Sequence, residues 1–191
     1  MAKYNAQVPA TPSACSVLTV WQWNCRSVRK KRESLIQYLQ TRISPPDVIF
    51  LQELRTLPSL PGYVVYATHK DPNRDHLVAT LVRRVHVVVD FTLDNQDIPH
   101  FLLELVPSNT HKPNTQPLRL LNVYSRPKER HARFDTLFQV AQCKGRATLI
   151  AGDLNAPHTT WGYPHDTPKG RNALHTLIQQ HNLTLLTDPS V

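Results

Sequence analysis

The sequence has few cysteines, and they form no recognisable motif. Cys15, Cys25 and Cys143 are the only three, and no two of them make a C-x-x-C pair. A disulfide framework needs paired cysteines and a cysteine-rich zinc site needs closely spaced ones, so neither class is favoured. Isolated cysteines fit a reducing compartment better, and we expect an intracellular protein.

Long apolar runs are also missing. No stretch reaches the roughly 20 apolar residues that a membrane-spanning helix needs, and residues 1–16 contain no long apolar run of the kind found in signal peptides. We therefore expect no signal peptide, no transmembrane segment and no membrane partner. Residues 1–16 are predicted to be a flexible N-terminal arm, and residues 17–191 a single domain.

Acidic residues are scarce relative to basic ones. The chain has 22 Lys and Arg against 14 Asp and Glu, which gives a formal net charge of +8. An excess of this sign favours a polyanionic partner such as nucleic acid, or an acidic membrane surface. The alternative is a protein with a surplus of surface Lys and Arg, and the charge alone does not decide between them.

The apolar residues follow alternating strand and helix periods, which predicts an α/β fold. Helices are expected over 28–42 with Ser27 as N-cap, over 131–141, and over 168–182 with Thr167 as N-cap. The strands are predicted from short runs rich in β-branched, aromatic and aliphatic residues: Val17–Trp23, Asp47–Leu51, Tyr63–Thr68, Leu77–Arg83, Val85–Phe91, Phe101–Val106, Leu118–Tyr124, Ala147–Ala151 and Leu183–Leu186.

Several predicted strands end in a polar residue of a type used in catalysis. Asn24 and Glu53 follow the first two strands, Tyr124 ends a later one, and Asp153 and Asn155 follow Ala147–Ala151. Polar residues at strand ends are how α/β folds build a site along one edge of a sheet. Taken singly, each has a structural explanation: a helix cap, a solvated acid, a packed aromatic or an Asx turn. Their recurrence favours a site.

Five segments occur in a fixed order over about residues 17–188: VWQWNCRSV, DVIFLQEL, LRLLNVYSRP, AGDLNAPHTTWG and KGRNALHTLIQQHNLTLL. Together they resemble the endonuclease/exonuclease/phosphatase superfamily, and within it the endonuclease domains of animal non-LTR retrotransposons. The G-D-x-N-A…W-G segment followed by a G-R helix is specific to that branch, whereas L-Q-E alone is weak. The resemblance implies a two-sheet sandwich flanked by helices, the four-layer α/β/β/α arrangement of deoxyribonuclease-like folds.

The resemblance also implies a role for each strand-end residue. Glu53 would hold a divalent metal, usually Mg²⁺ with Mn²⁺ as a substitute, and Asn24 would lie beside it. Tyr124 would contact the phosphate, and Asp153 would orient or deprotonate the attacking water. Asn155 would fix that acid and the phosphate. In this family the product is a nicked DNA strand from which reverse transcription starts, so a reverse transcriptase domain in a full-length polyprotein and a nuclear location are expected.

Basic residues flank these positions. Five of them lie in Cys25–Glu33, directly after Asn24, and Arg126 follows Tyr124. The resemblance makes Arg26, Arg29 and Arg126 candidates for DNA phosphate contacts. A solvated helix face explains the first cluster equally well.

The family pattern continues with an Asp and a Ser-Asp-His run that together supply a supported histidine, and the sequence reaches Val191 before either. The Asp75–His76 pair lies between early strands, an unsuitable place for a substitute. We therefore expect an incomplete C-terminus with the last strands missing, and slow or absent nicking. The alternatives are a phosphatase of the same superfamily, acting on phospholipid or inositol phosphate headgroups, and a non-catalytic nucleic-acid-binding remnant.

Overall fold

Two four-stranded sheets form the centre of the protein. The computed structural model describes residues 18–68, 75–84, 87–90, 98–106, 117–130, 132, 134–141, 147–181, 183, 184 and 186. The first sheet has the order β1-β2-β4-β3, and its strands are β1 (Val20–Asn24), β2 (Val48–Arg55), β3 (Tyr63–Ala67) and β4 (His76–Arg83). The second has the order β5-β6-β7-β8, and its strands are β5 (Val87–Asp90), β6 (His100–Val106), β7 (Leu118–Tyr124) and β8 (Ala147–Asp153).

Each sheet contains one parallel pair of strands, and the other pairs are antiparallel. In the first sheet β1 runs parallel to β2, with Asn24 opposite Gln52. In the second sheet β7 runs parallel to β8, with Tyr124 opposite Asp153. Parallel partners end at the same edge of a sheet. The two pairs therefore place their carboxyl ends, which carry the polar residues singled out in the sequence, side by side.

Helices cover the outer faces of the sandwich. The first helix, α1 (Arg32–Gln40), buries Leu35 and Leu39 against the first sheet. The helices α2 (Asp135–Ala141) and α3 (Pro168–Leu174) cover the second sheet, and a π-helical turn, His175–Gln180, continues α3. The layers follow the order α/β/β/α, so the predicted two-sheet sandwich flanked by helices is confirmed.

The strand β2 is apolar on both faces because it packs in two directions. Ile49 and Leu51 belong to the core beneath α1, whereas Val48 and Phe50 belong to the core between the sheets. Side chains of successive strand residues point to opposite faces. A strand covered on both faces needs an unbroken apolar run, which is what the sequence shows at this position.

A chain of side-chain amides, exposed at Gln22 and buried at Gln52 and Asn122, crosses the apolar layer between the sheets. Gln22 Nε2 donates to Gln52 Oε1 at 2.7 Å, and Gln52 Nε2 donates to Asn122 Oδ1 at 2.6 Å. Asn122 Nδ2 in turn donates to the carbonyl oxygen of Ala79 at 2.8 Å and contacts Thr80 Oγ1 at 3.3 Å. Gln52, Asn122 and Thr80 are fully buried. A buried amide is tolerated only when its polar atoms have partners, so this chain fixes the register of one sheet against the other.

The first helix begins later than predicted. Ser27, the predicted N-cap, has a φ of 78°, and α1 begins at Arg32. Residues 25–28 continue along β2 instead, because the backbone N–H groups of Cys25, Ser27 and Val28 donate to the carbonyls of Gln52, Glu53 and Leu54. Helical periodicity in the sequence cannot predict that residues 25–28 pair with a strand about 27 residues further along the chain. Most of the basic cluster therefore precedes the helix.

The other predicted elements differ mainly at their ends. Helix α3 begins as predicted, with Pro168 as its first residue and the Thr167 side chain accepting from Gly170 N. The helix predicted over 131–141 starts at Asp135. A strand over Leu183–Leu186 is wrong for the three residues of it that are described, Leu183, Thr184 and Leu186, which lie outside any strand. A strand needs a hydrogen-bonding partner, and an apolar run alone does not supply one.

Two sequence expectations concern parts of the chain that the structure does not test fully. The predicted arm, residues 1–16, lies outside the described residues. Among the described residues, no helix combines the length and the apolar character needed to cross a membrane.

The amide chain predicts a large effect for a substitution that keeps the number of side-chain heavy atoms. Asn122→Leu would leave Gln52 Nε2 and the carbonyl of Ala79 without these hydrogen bonds, so we expect a loss of about 2–4 kcal/mol in the free energy of unfolding. Urea denaturation measures it. Gln139→Leu, another replacement of an amide by leucine, at an exposed position of α2, is the control and should shift the free energy by less than about 0.5 kcal/mol. Equal effects of the two changes would contradict a stabilising amide chain.

Candidate active site

The side-chain amide of Asn24 joins two carboxylates that come from different sheets. Asn24 ends β1, and its Nδ2 donates to Glu53 Oε1 at 2.8 Å and to Asp153 Oδ2 at 2.6 Å. The partners are 29 and 129 positions away in the sequence. On its other side, Asn24 Oδ1 accepts a hydrogen bond from Arg26 N at 3.3 Å. The carboxyl ends of β1, β2 and β8 therefore meet at this amide.

A bulge in β2 presents Glu53. The register between β2 and β4 shifts between Gln52 and Arg55, and Glu53 and Arg55 have positive φ values of 53° and 64°. A β-bulge adds one residue to a strand and re-aims the side chains beside it. As a result Gln52 enters the amide chain between the sheets while its neighbour Glu53 contacts Asn24. A left-handed conformation costs a non-glycine residue about 1–2 kcal/mol, which the surrounding packing offsets.

Tyr124, the last residue of β7, lies against the same carboxylates. Burial raises the pKa of its hydroxyl well above the ordinary value, and the negative charge of Glu53, a hydrogen bond to Glu53 and the charge of Asp153 raise it further. The positive charge of Arg126 opposes this rise in pKa. The phenol is therefore protonated at neutral pH, and it can act as a hydrogen-bond donor in the site.

Asp153 and Asn155 form the turn after β8. Asn155 N donates to Asp153 Oδ1 at 3.1 Å, which is the geometry of an Asx turn, and Asn155 Nδ2 donates to the carbonyl of Ser125 at 3.0 Å. The turn exists, and Asp153 also receives the amide of Asn24. Gly152 is required before it, because a Cβ atom there would lie 1.9 Å from the carbonyl oxygen of Val123. The motif therefore forms an Asx turn and also contributes Asp153 to the candidate site.

The oxygen atoms of the site suit a hard cation. Glu53 and Asp153 are carboxylates that share one amide donor, and Asn24 adds a carboxamide. Mg²⁺ needs only one or two carboxylates because it keeps several of its waters. The described part of the chain contains no group of three or more His, Cys, Asp or Glu that could hold a metal. The oxygen atoms of Glu53 and Asn24 are of the kind that Mg²⁺ prefers, and their role as its ligands stays a prediction.

The basic candidates differ in how close they lie to the site. Arg26 is exposed, has a φ of 43°, and donates its backbone N–H to Asn24. Arg126 lies beside Tyr124 and pairs with Glu129 at 3.2 Å. Arg29 is exposed in the turn before α1. Contact of these three arginines with DNA stays a prediction.

One charged residue at this edge was not singled out in the sequence. Lys169, the second residue of α3, is only 2% exposed, and its Nζ donates to the carbonyl of Arg126 at 2.9 Å. The sequence carried an indication of this, because Lys169 follows the predicted N-cap Thr167 and Pro168 and so falls in the first turn of a helix. The first turn of a helix disfavours positive charge because the helix dipole is positive there, so a lysine at this position needs an acceptor elsewhere.

The protein is an α/β/β/α sandwich with carboxylates and amides at one edge of the paired sheets. The profile described as "Endonuclease/Exonuclease/phosphatase family" matches residues 21–190. The chain therefore belongs to this family, which is typically metal-dependent.

Solved structures show the same fold at low sequence identity. The endonuclease domain of TRAS1, a telomere-specific non-LTR retrotransposon, superposes with a TM-score of 0.70 at 17% identity, over 92% of this chain and 75% of that one. The human Nocturnin catalytic domain, solved with a bound sulfate anion, superposes with a TM-score of 0.50 at 17% identity, over 73% of this chain and 64% of that one. A comparison with curated proteins finds no match.

The Asn24–Asp153 hydrogen bond predicts energetic coupling between two positions far apart in sequence. We expect Asn24→Ala and Asp153→Ala to interact by about 1–2 kcal/mol in a double-mutant cycle, because each single change removes the same charge-assisted bond. Urea unfolding in EDTA measures the four proteins without metal. The control cycle pairs Asn24→Ala with Asp166→Ala, an exposed residue whose carboxylate accepts from Thr159 N instead. Additivity of the Asn24 and Asp153 changes within about 0.5 kcal/mol would argue against the contact.

Proposed function

We propose that this chain is a Mg²⁺-dependent endonuclease domain that nicks DNA, of the type found in non-LTR retrotransposons. The observation that carries the proposal is the amide of Asn24 held between Glu53 and Asp153. This contact brings the candidate metal acid and the candidate acid for water activation to one edge of the sandwich. Membership of the family supports hydrolysis of a phosphate ester as the class of reaction.

Each side chain has a part in the proposed hydrolysis. Glu53 and Asn24 would hold Mg²⁺, which when bound neutralises charge on the phosphate. Asp153 accepts the proton of the attacking water, and the Asn155 backbone N–H orients one of its carboxylate oxygens. The protonated hydroxyl of Tyr124 donates to a phosphate oxygen and stabilises the charge that builds there. The water oxygen forms the new bond to phosphorus, the bond to the leaving oxygen breaks, and the leaving oxygen takes up a proton from solvent.

The net positive charge of the chain and its structural similarity to an endonuclease domain support DNA as the substrate. The net charge of +8 favours a polyanion, and Arg26 and Arg126 flank the carboxylates. Among the similar structures, that of TRAS1 is the endonuclease domain of a retrotransposon. We accordingly propose that the domain acts beside a reverse transcriptase domain in a polyprotein, with residues 17–191 as the nuclease unit and a nuclear site of action.

The proposal predicts metal-dependent nicking that depends on two acids. Supercoiled plasmid should relax slowly in Mg²⁺ and not in EDTA, and Glu53→Gln or Asp153→Asn should slow the relaxation further by at least about 100-fold, since a positioned acid or base is typically worth about 10²–10⁴-fold. Asp166→Asn serves as the matched control because its carboxylate is exposed and pairs with His158. Nicking that survives both substitutions would refute the assignment. Release of phosphate from inositol phosphates without nicking would favour a phosphatase instead.

Binding is predicted to depend steeply on salt. Each phosphate that a basic side chain neutralises contributes about −0.9 to the slope of log K against log salt on duplex DNA. Arg26→Gln and Arg126→Gln should each flatten this slope by about one unit, measured by fluorescence anisotropy in Ca²⁺ or EDTA. A flat response of the unsubstituted protein would contradict phosphate contacts. Salt-dependent binding without any nicking would instead indicate a non-catalytic binding remnant.

A further inference from the structure

Lys169 is a buried cation for which the proposed chemistry gives no use. Its side chain is 2% exposed, in a chain whose other lysines are mostly at the surface where described. Burial lowers its pKa, whereas the negative charges of Glu129 and Asp153 act to raise it. A buried ammonium is expensive unless it is paired and hydrogen-bonded. The ammonium of Lys169 therefore needs a hydrogen-bonding partner that offsets its loss of hydration, and that partner lies beside the site.

The partner is the turn that follows Tyr124. The carbonyl of Arg126 accepts from Lys169 Nζ at 2.9 Å and from the backbone N–H of Glu129 at 3.1 Å. The Glu129 carboxylate closes the same turn by accepting from Arg126 N at 3.2 Å and pairing with the Arg126 guanidinium at 3.2 Å. Lys169 thus donates to the carbonyl of Arg126, which also accepts the backbone hydrogen bond that closes the turn.

A second donor holds the preceding carbonyl. Asn155 Nδ2 donates to the carbonyl of Ser125 at 3.0 Å, one residue before the carbonyl that Lys169 holds. Ser125 N in turn donates to the carbonyl of Asp153 at 2.9 Å. Two successive carbonyls after Tyr124 are therefore fixed by side chains that follow Asp153 in the sequence.

The base of Lys169 is itself held rigidly. A Cβ atom at the next residue, Gly170, would lie 1.9 Å from the carbonyl oxygen of Pro157, so α3 packs directly on the segment after Asn155. Thr167 N also donates to that carbonyl at 3.0 Å. The start of α3 is therefore in direct contact with the segment that follows Asp153, and Lys169 connects the two to the turn at Arg126.

We propose that Lys169 is a positioning residue of the site: its ammonium, acting with the Asn155 amide, holds the Ser125–Glu129 turn so that Tyr124 and Arg126 are aligned with Asp153. The expected effect on nicking rests on the proposed function. The expected effect on the Ser125–Glu129 turn rests on the contacts alone. Lys169 acts through the backbone of Arg126, and the substrate phosphate is contacted by other groups.

Kinetics of nicking test the consequence for the reaction. Lys169→Met removes the ammonium and keeps the aliphatic stem, and on a labelled duplex in Mg²⁺ we expect kcat to fall about tenfold, the value of one charge-assisted hydrogen bond. KM should change less than kcat does, because Arg26 and Arg29, two of the three arginines that would contact DNA, lie outside the turn that Lys169 holds. Lys169→Arg, which keeps a cationic donor, should recover most of kcat. Lys128→Met removes the same charge from an exposed position of the same turn and should leave kcat unchanged.

Hydrogen exchange tests the same inference without any activity. In the protein free of Mg²⁺ and DNA, the backbone amides of Arg126 and Glu129 should exchange several-fold faster in Lys169→Met than in the unsubstituted chain or in Lys128→Met. Thermal melting checks that each variant is folded. Lys169→Arg separates the contact from a general packing defect, because a packing defect would be worsened by the larger side chain.

The two measurements separate failure of the inference from failure of the proposed function. Unchanged exchange at Arg126 and Glu129 in folded Lys169→Met would overturn the positioning role. Unchanged kcat in that variant, when the unsubstituted protein nicks and Asp153→Asn does not, would also overturn it. Faster exchange in a protein that nicks nothing would support the role of Lys169 in the turn while refuting endonuclease activity.

Discussion

The contact on which the site depends is one carboxamide shared by two carboxylates. Asn24 can donate to both Glu53 and Asp153 only because β1 and β8 end at the same edge of two facing sheets. The parallel pairing of β1 with β2 and of β7 with β8 sets those ends. The amide chain from the exposed Gln22 to the buried Asn122 fixes how far one sheet is shifted along the other. Apolar packing is not directional, so these hydrogen bonds add the directional restraint.

Backbone strain is concentrated around this contact. Arg26, Glu53 and Asn155 all have positive φ values, and each lies at or beside a residue that reaches the shared amide. Such conformations cost of order 1–3 kcal/mol each and persist only where the surrounding structure over-determines them. Here the surroundings are the bulge in β2, the backbone pairing of residues 25–28 with β2, and the Asx turn after β8. The strain is therefore the cost of aiming side chains from strand ends into one small volume.

Helix α3 gives the site a second layer of support. It starts at Thr167 and Pro168 and packs so closely on the segment after Asn155 that only glycine fits at position 170. Lys169 and Asn155 then reach the consecutive carbonyls of the turn that follows Tyr124. Trp161 fixes the same segment from another side, since its Nε1 donates to the carbonyl of Ala156 at 2.9 Å. The G-D-x-N-A…W-G motif and the helix after it therefore form one structural unit.

The sequence by itself determined most of the element types, the α/β/β/α class and the family, because apolar periods, Thr167 with Pro168, and the ordered motifs are local signals. It also picked out Asn24, Glu53, Tyr124, Asp153 and Asn155 as strand-end residues, although their roles stay predictions. Only the tertiary structure decided the late start of α1, the bulge at Glu53, the amide chain through Asn122 and the bond from Lys169 to Arg126. Each of these depends on pairing between segments distant in sequence, and local periodicity carries no information about which distant backbone or side chain a donor will meet.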